Sequence, residues 1–165
     1  TGFAGENADG DAWGTLRLQQ ALVRDTVPHA AMAVIYDVGE YDNIHPTDKK
    51  TVGERLGDQA LDNAYGADTG ARLFRCVEKR ASGGEVTLIF DGRICVRGEE
   101  ARGFALCGAD GKYHRARACV DGDTVRLVSE GVAQPRGARY AMTNWTQGNA
   151  MQENGIPLPP FEETW

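Results

Sequence analysis

The pattern of apolar residues changes near Gly66, and this change limits the possible folds more than any other feature of the 165-residue chain. Before Gly66 the spacing predicts a helix, one short apolar strand and a second helix, an order typical of α/β proteins. After it come short strand-like runs separated by glycine and aspartate, as in antiparallel sandwiches. The sequence therefore predicts two domains, with residues 1–66 forming part of an α/β sheet domain and residues 67–165 forming a β-rich accessory domain.

The first segment supplies too few elements for a complete parallel sheet. Apolar side chains at helical spacing predict helices over Trp13–Arg24 and Lys49–Tyr65. Between them, Ala30–Tyr36 (AAMAVIY) is continuously apolar, which is typical of a strand buried on both faces of a sheet. We expect this strand to lack some of its neighbours, so that the segment exposes an apolar face. In the second helix, Gly53 and Gly57 lie one turn apart and would allow a neighbouring element to approach closely.

The second segment reads as a meander of short strands. Hairpin turns are predicted at Ser82–Gly84 and at Ala109–Lys112. The predicted strands are Leu73–Lys79, Glu85–Phe90, Phe104–Cys107, Tyr113–Val120, Thr124–Ser129 and Gly137–Thr143. The tail, residues 148–165, contains three of the six prolines and is expected to be irregular, either laid along a surface or frayed.

Composition argues against a nucleic-acid or membrane partner. The net charge is −6, and lysine and arginine are scattered without a basic run. No apolar stretch is long enough to cross a bilayer. The sequence therefore predicts neither a nucleic-acid partner nor a membrane partner.

The four cysteines favour a reducing environment. Cys76, Cys95, Cys107 and Cys119 form no C-x-x-C pair and each lies in an apolar, strand-like run. We therefore expect reduced thiols in the core and no zinc site, with disulfides as the alternative if the protein is exported. This pattern favours the cytoplasm of a bacterium, and export to the periplasm or beyond is the alternative.

The densest group of reactive side chains lies between the predicted strand and the second helix. It contains Asp37, Glu40, Asp42 and His45. An acid three residues before a histidine can hold one ring nitrogen while the other accepts a proton from a serine hydroxyl. The alternative is an ordinary helix-start loop with solvated acids, because D-x-x-H is short and common by chance.

A nucleophile for this histidine is not evident. The chain has only two serines, Ser82 in a predicted hairpin turn and Ser129 at a strand end, and no G-x-S-x-G elbow. The other histidines, His29 and His114, are expected in a loop and on a strand surface. If His45 is a general base, its serine is not in this sequence.

The motifs of this sequence, in their order along the chain, resemble those of the sialate O-acetylesterase family of SGNH-type hydrolases. In the first segment the matching motifs are Trp13-x-x-Leu16-Arg17, Asp37-x-Gly39, Ile44-His45-Pro46, Lys49 or Lys50, Val52-Gly53, Arg55-Leu56 and Tyr65-Gly66. In the second segment they are GFALCGADGKYHRARACVDGDTV (103–125), RYAMTNW (139–145) and the tail GIPLPPFEETW.

The resemblance implies a fold and an activity. The fold would be the carboxyl-terminal part of an SGNH-type α/β sheet domain, followed by the sandwich-like domain. The activity would be hydrolysis of O-acetyl esters on sialic acid or a related acetylated sugar, without a metal or cofactor. His45 would be the general base and Asp42 the orienting acid, with Asp37 and Glu40 as alternates. The serine and the oxyanion donors would come from a missing amino-terminal half, so the isolated chain would be inactive.

Two other functions stay open on the sequence. One is a non-catalytic carbohydrate-binding or scaffolding module, in which Tyr140, Trp145 and Trp165 would stack on sugars, although aromatic residues in strands are more often core. The other is a degenerate, inactive relative of the esterases.

Overall fold

The computed structural model describes residues 2–165; Thr1, the first residue of the predicted first domain, lies outside this range. The chain divides into two compact units. The first consists of Thr1–Leu73 together with Met142–Thr146, and the second of Phe74–Ala141 together with Gln147–Trp165. The short segment Met142–Thr146 therefore leaves the β-rich part of the chain and packs with residues far earlier in the sequence.

Both predicted helices of the first unit form. Helix α1 is Ala12–Thr26 and helix α2 is Lys49–Tyr65. The side chain of Asp48 caps α2 by accepting a hydrogen bond from the Thr51 amide, and Gly66 ends the helix in the left-handed conformation at φ 68°. No helix within residues 2–165 is long and apolar enough to cross a membrane.

The prediction of an SGNH-type α/β sheet is wrong. Residues 2–73 contain no strand, and every paired strand in the described chain is antiparallel and belongs to the second unit. Ala30–Tyr36 instead leads into a 3₁₀ turn, Tyr36–Val38. Its carbonyl at Val34 accepts from the guanidinium of Arg55 at 2.7 Å, so a side chain satisfies a group that a neighbouring strand would satisfy in a sheet.

Helix α1 is fastened through polar groups. The guanidinium of Arg17, which is 5% exposed, donates to the carbonyl oxygens of Thr143 (2.6 Å) and Asn144 (3.5 Å). The amide of Trp13 donates to the Asn144 side chain at 2.8 Å. At Gly14 a side chain would collide with the backbone of Met142. Burial lowers the pKa of Arg17 from its ordinary value. The face of α1 that packs inside the unit is thus small and polar.

The second unit is a set of short antiparallel strands. They are β1 Cys76–Ser82, β2 Glu85–Phe90, β3 Ile94–Val96, β4 Phe104–Cys107, β5 Tyr113–Arg115, β6 Arg117–Asp121, β7 Thr124–Val128, β8 Gly137–Tyr140, β9 Ala150–Gln152 and β10 Phe161–Thr164. They form two four-stranded sheets, β1-β2-β7-β6 and β10-β8-β4-β5, and the two-stranded pair β3-β9. The predicted hairpins are confirmed, since β1 pairs with β2 and β4 with β5.

Alternating side chains build the core of this unit. On β2, Val86 and Leu88 are buried and the residues between them are not, as expected for a strand with one solvated face. An aromatic cluster closes the core, with the ring of Phe161 lying 5.7 Å from that of Phe90 and 5.8 Å from that of Tyr140. Burial of such side chains away from water is the main source of stability in a sandwich.

Three short strands were not predicted, and the tail is more ordered than expected. Strand β3 was missed, and β9 and β10 lie in the tail that was predicted to be irregular. Leu158 is fully buried between them, so this part of the tail is core rather than frayed surface. Strands of three or four residues are too short to show an alternating pattern in the sequence.

The cysteines are unpaired, but only one of them is core. Cys107 is buried, Cys76 is half-buried, and Cys95 and Cys119 are exposed. The prediction of four core thiols is therefore wrong for the last two. Burial raises the pKa of Cys76 to about 11.

We predict that Tyr140→Phe destabilises the protein by about 1–3 kcal/mol, because buried partners of the lost hydroxyl would be left unsatisfied. The hydroxyl of Tyr140 accepts from the Ala150 amide at 2.9 Å and donates to the Ala150 carbonyl at 3.3 Å. Chemical denaturation measures the change. Tyr65→Phe is the matched control, because Tyr65 is 80% exposed and its loss of a hydroxyl should be neutral. Equal effects of the two substitutions would contradict this prediction.

Candidate active site

The candidate site is the loop from Asp37 to Asp48, which connects the 3₁₀ turn to α2. The amino-terminal segment holds one side of it: the amide of Ala4 donates to the carbonyl of Tyr41 at 3.0 Å. At Gly39 a side chain would overlap the carbonyl oxygen of Gly2, so glycine is required for this close approach. The loop is therefore fixed at a point close to the candidate residues.

Asp37 forms an ion pair with Arg55 of α2 that holds the two ends of the loop together. Its two carboxylate oxygens accept from the guanidinium of Arg55 at 2.6 and 2.8 Å, and both side chains are more than four-fifths buried. Donating these hydrogen bonds to Asp37 raises the pKa of Arg55 from its ordinary value. This bidentate pair joins the turn before the loop to the helix after it. Asp37 is therefore committed to a structural role.

Glu40 organises the middle of the loop. One oxygen accepts from the amide and the hydroxyl of Thr47, at 2.6 and 2.7 Å, and the other accepts from the side-chain amide of Asn43 at 2.9 Å. These bonds, led by the one from the Thr47 amide, hold the pKa of Glu40 below its ordinary value. The second alternate acid is therefore also engaged away from the imidazole.

Asn43 positions the backbone of His45 and was missed in the sequence analysis. Its side-chain oxygen accepts from the His45 amide at 2.9 Å, and its side-chain nitrogen donates to the His45 carbonyl at 2.9 Å. An asparagine that bonds the backbone two residues ahead forms an Asx turn. An asparagine two residues before a loop histidine is the signal that could have revealed this role.

Asp42 and His45 lie on the same exposed loop. Within residues 2–165 no hydrogen bond or ion pair joins their side chains. The framework built by Glu40 and Asn43 thus fixes the backbone of His45 and leaves its imidazole exposed. Two further side chains of the same loop are also exposed, Tyr41 at 56% and Ile44 at 40%. The ring of Tyr41 contacts that of Trp145 edge to face, with the ring centroids 5.4 Å apart.

The other histidines and the two serines do not form a comparable arrangement. His29 lies in the loop after α1, where its carbonyl accepts from Asn63. His114 shares a small depression of about 310 Å³ in the second unit with Ser129, but the Ser129 hydroxyl donates to the Arg115 carbonyl at 2.8 Å. Ser82 ends strand β1 at the hairpin. Within residues 2–165 no group of three or more histidine, cysteine, aspartate or glutamate side chains is placed to hold a metal ion.

The second unit contains a larger cleft of about 850 Å³ beside β3 and the edge of β6. Its charged lining residues are Arg93, Arg115, Arg117, Glu99, Glu100 and Asp121. The cleft therefore offers both hydrogen-bond donors and acceptors, and its volume is in the range of small-molecule sites. Of the aromatic residues proposed to stack on sugars, Tyr140 is fully buried and belongs to the core.

The structure is similar to that of a carbohydrate acetylesterase from Xanthomonas citri. The TM-score is 0.90 and the sequence identity 32%, over 99% of this chain. The chain spans only 40% of the length of that enzyme. No family model matches the chain, and no curated protein sequence matches it significantly.

We predict that Glu40→Gln loosens the loop and removes part of its response to acid. The pKa of the Glu40 carboxyl is lowered in the folded protein, so its contribution is present above the ordinary pKa and is lost as the pH falls through the lowered value. The chemical shift of the Thr47 amide, followed by NMR from neutral to acid pH, should titrate in the original protein and stay flat in the variant. Glu54→Gln, an exposed position on α2, is the control. A Thr47 amide that titrates equally in all three proteins would contradict this assignment.

Proposed function

We propose that this chain takes part in the hydrolysis of O-acetyl esters on carbohydrates and supplies the acid–histidine pair of the catalytic site. The observation that carries the proposal is the likeness to the Xanthomonas citri carbohydrate acetylesterase over almost the entire chain, at an identity of 32% and a TM-score of 0.90. The exposed loop with Asp42 and His45 adds the chemistry that such a reaction needs.

In the proposed mechanism His45 is the general base and then the general acid. It accepts the hydroxyl proton of a serine supplied by polypeptide outside this chain, and the serine oxygen attacks the acetyl carbon. The tetrahedral intermediate collapses when His45 returns the proton to the sugar oxygen, which leaves as the alcohol. Water, activated by His45 in the same way, then releases acetate from the serine. Asp42 would hold the imidazole in the correct tautomer and stabilise its protonated form.

Asp42 is favoured over the two alternate acids because of what each already does. Asp37 is bound to Arg55, and Glu40 is bound to Thr47 and Asn43. Taking either to His45 would break the contacts that shape the loop. Asp42 is exposed and can turn towards the imidazole when a partner covers the loop.

The proposed substrate is an acetylated sugar, with O-acetylated sialic acid as the first candidate. Tyr41 and Ile44, on the same loop as His45, are exposed and would give the sugar ring or its acetyl methyl group an apolar surface. The resemblance of the motifs to sialate O-acetylesterases supports the choice of sialic acid.

The test uses a chimera in which this chain replaces the matched 40% of the Xanthomonas citri acetylesterase. We predict that the chimera hydrolyses p-nitrophenyl acetate and acetylated sugars and that the isolated chain does not. His45→Ala should lower kcat of the chimera by about 10²–10⁴-fold, the usual contribution of a general base. Asp42→Asn should cost less, because the acid orients the imidazole rather than transferring the proton.

Three variants separate the candidate acids. Asp37→Asn should reduce thermal stability, because it breaks a buried ion pair, whereas Asp42→Asn should leave stability unchanged. If Asp42→Asn keeps full activity and Glu40→Gln does not, the acid has been assigned wrongly. Serine-reagent-sensitive turnover by the isolated chain would contradict the proposed origin of the nucleophile.

The cleft of the second unit supports a second candidate function, non-catalytic binding of a saccharide. Arg115 and Arg117 line the cleft together with Glu99 and Glu100. Guanidinium donors and carboxylate acceptors suit a ligand with many hydroxyl groups. In an esterase, such a site would hold the glycan and leave the chemistry to His45.

We predict that replacing Arg115 and Arg117 together by alanine weakens binding of a sialylated oligosaccharide to the isolated chain, as measured by titration calorimetry. Arg80→Ala is the matched control, because Arg80 is exposed on β1 and pairs with Glu78 outside the cleft. The absence of measurable binding to the original chain, or an equal loss in the control, would exclude this function.

A further inference from the structure

The inward face of α2 is polar, which is unusual for a helix at a protein surface. Arg55 donates to Asp37 and to the Val34 carbonyl, and Gln59 donates to the carbonyl of Ala71. One turn further, the carboxylate of Asp62 accepts from the amides of Thr69 and Ala71. These side chains recur at helical spacing, so hydrogen bonds help to attach α2 to its unit, together with the partly buried side chain of Val52.

From Gly53 onwards the opposite face of α2 carries small and apolar residues and is exposed. The exposed ion pair of Lys50 and Glu54 lies at its start and edge. On a helix of 3.6 residues per turn, the positions opposite the polar face are Gly53, Gly57, Ala60 and Ala64. Leu56, 54% exposed, and Leu61, 44% exposed, flank them on either side. None of the seventeen residues of α2 is buried.

This orientation is the reverse of that expected for an amphipathic helix at a protein surface. A surface helix normally turns its apolar stripe inward and its charged face outward. Glycine also weakens a helix, so a glycine pair in its middle is best explained by close approach of another backbone. Apart from the helix's own backbone and the neighbouring residues, no heavy atom of residues 2–165 lies within 4 Å of where a side chain at Gly53 or Gly57 would begin. Within residues 2–165 the space beside the two glycines is therefore open.

Helix α1 shows the same reversal. Its buried positions are Gly14, Arg17 and Ala21, with Arg17 bonded to the backbone of the Met142–Thr146 segment. Leu16 and Leu22 are 47% and 52% exposed. Both helices of the first unit therefore turn leucines outward.

We infer that the outward face of α2 is a docking surface for polypeptide equivalent to the part of the Xanthomonas citri acetylesterase that this chain does not match. The inference rests on the proposed function. That enzyme contains the equivalent of nearly all of this chain, and a further three-fifths of its length lies outside the match. Small side chains between two leucines form a shallow groove that fits a packed helix or strand.

The position of α2 explains why this partner would complete the site. The helix begins four residues after His45, and Gly53 lies one turn along it. At about 1.5 Å of rise per residue, an element packed on Gly53 and Gly57 lies close to the loop that carries the imidazole. The same contact that covers the leucines would therefore bring a serine-bearing segment near His45.

The test compares the access of a maleimide to a thiol at Leu56 in the isolated chain and in the chimera. Cys95 and Cys119 are first replaced by serine because they are exposed. Cys107 is buried, and Cys76, with a pKa of about 11, reacts slowly. Leu56→Cys should be labelled in the isolated chain and protected in the chimera. Val77→Cys, on β1 at a position 61% exposed, is the control and should be labelled in both.

Each result decides the inference. Labelling of Leu56→Cys in the folded chimera overturns it, and protection of Val77→Cys as well would mean a general loss of access and would also overturn it. Protection in the isolated chain would mean that a second copy covers the face, and protection by added lipid vesicles would mean a membrane. An active chimera with an accessible Leu56→Cys keeps the proposed function and removes the docking surface. An inactive chimera with a protected Leu56→Cys keeps the docking surface and removes the proposed function.

Discussion

The bidentate ion pair between Asp37 and Arg55 is the contact on which the candidate site depends. It joins the turn that follows an apolar, strandless run to the first turns of α2, and a third bond from Arg55 holds the carbonyl of Val34. Because both partners are nearly buried, removing one would leave an uncompensated charge and cost about 3–5 kcal/mol. The segment between Asp37 and Arg55 contains the short loop in which Glu40 and Asn43 make their hydrogen bonds, and the ion pair fixes both ends of this loop.

This construction separates the residues that hold the loop from the residues that could react. Glu40 and Asn43 use their polar atoms on the backbone and side chains of the loop itself. The imidazole of His45 and the carboxylate of Asp42 are exposed, as are the side chains of Tyr41 and Ile44 beside them. Exposed reactive groups on a rigid loop are what a surface needs if it is to complete a catalytic site with a partner.

Local pattern was a good guide to helices and hairpins and a poor guide to the sheet. The helix predicted over about Lys49–Tyr65 agrees with the observed one, because its periodicity and the glycine that ends it are local signals, whereas the Asp48 cap was not predicted. Ala30–Tyr36 was wrongly predicted as a parallel strand, because a strand exists only when neighbours pair with it, and the described first unit contains none. The candidate acids were visible in the sequence, but their roles were not, since the bonds of Asp37 to Arg55 and of Glu40 to Thr47 span seven to eighteen residues.

The most direct measurement of the central claim is the proton NMR spectrum of the histidine in its working environment. A hydrogen bond from the His45 imidazole to a carboxylate gives a proton resonance far downfield of the amides. We predict that this resonance is absent in the isolated chain and appears in the chimera. It should disappear with Asp42→Asn but not with a substitution that leaves the loop intact, such as Glu54→Gln. A chimera that is active while this resonance is missing, or that keeps it in Asp42→Asn, would contradict the claim that Asp42 and His45 act as a pair.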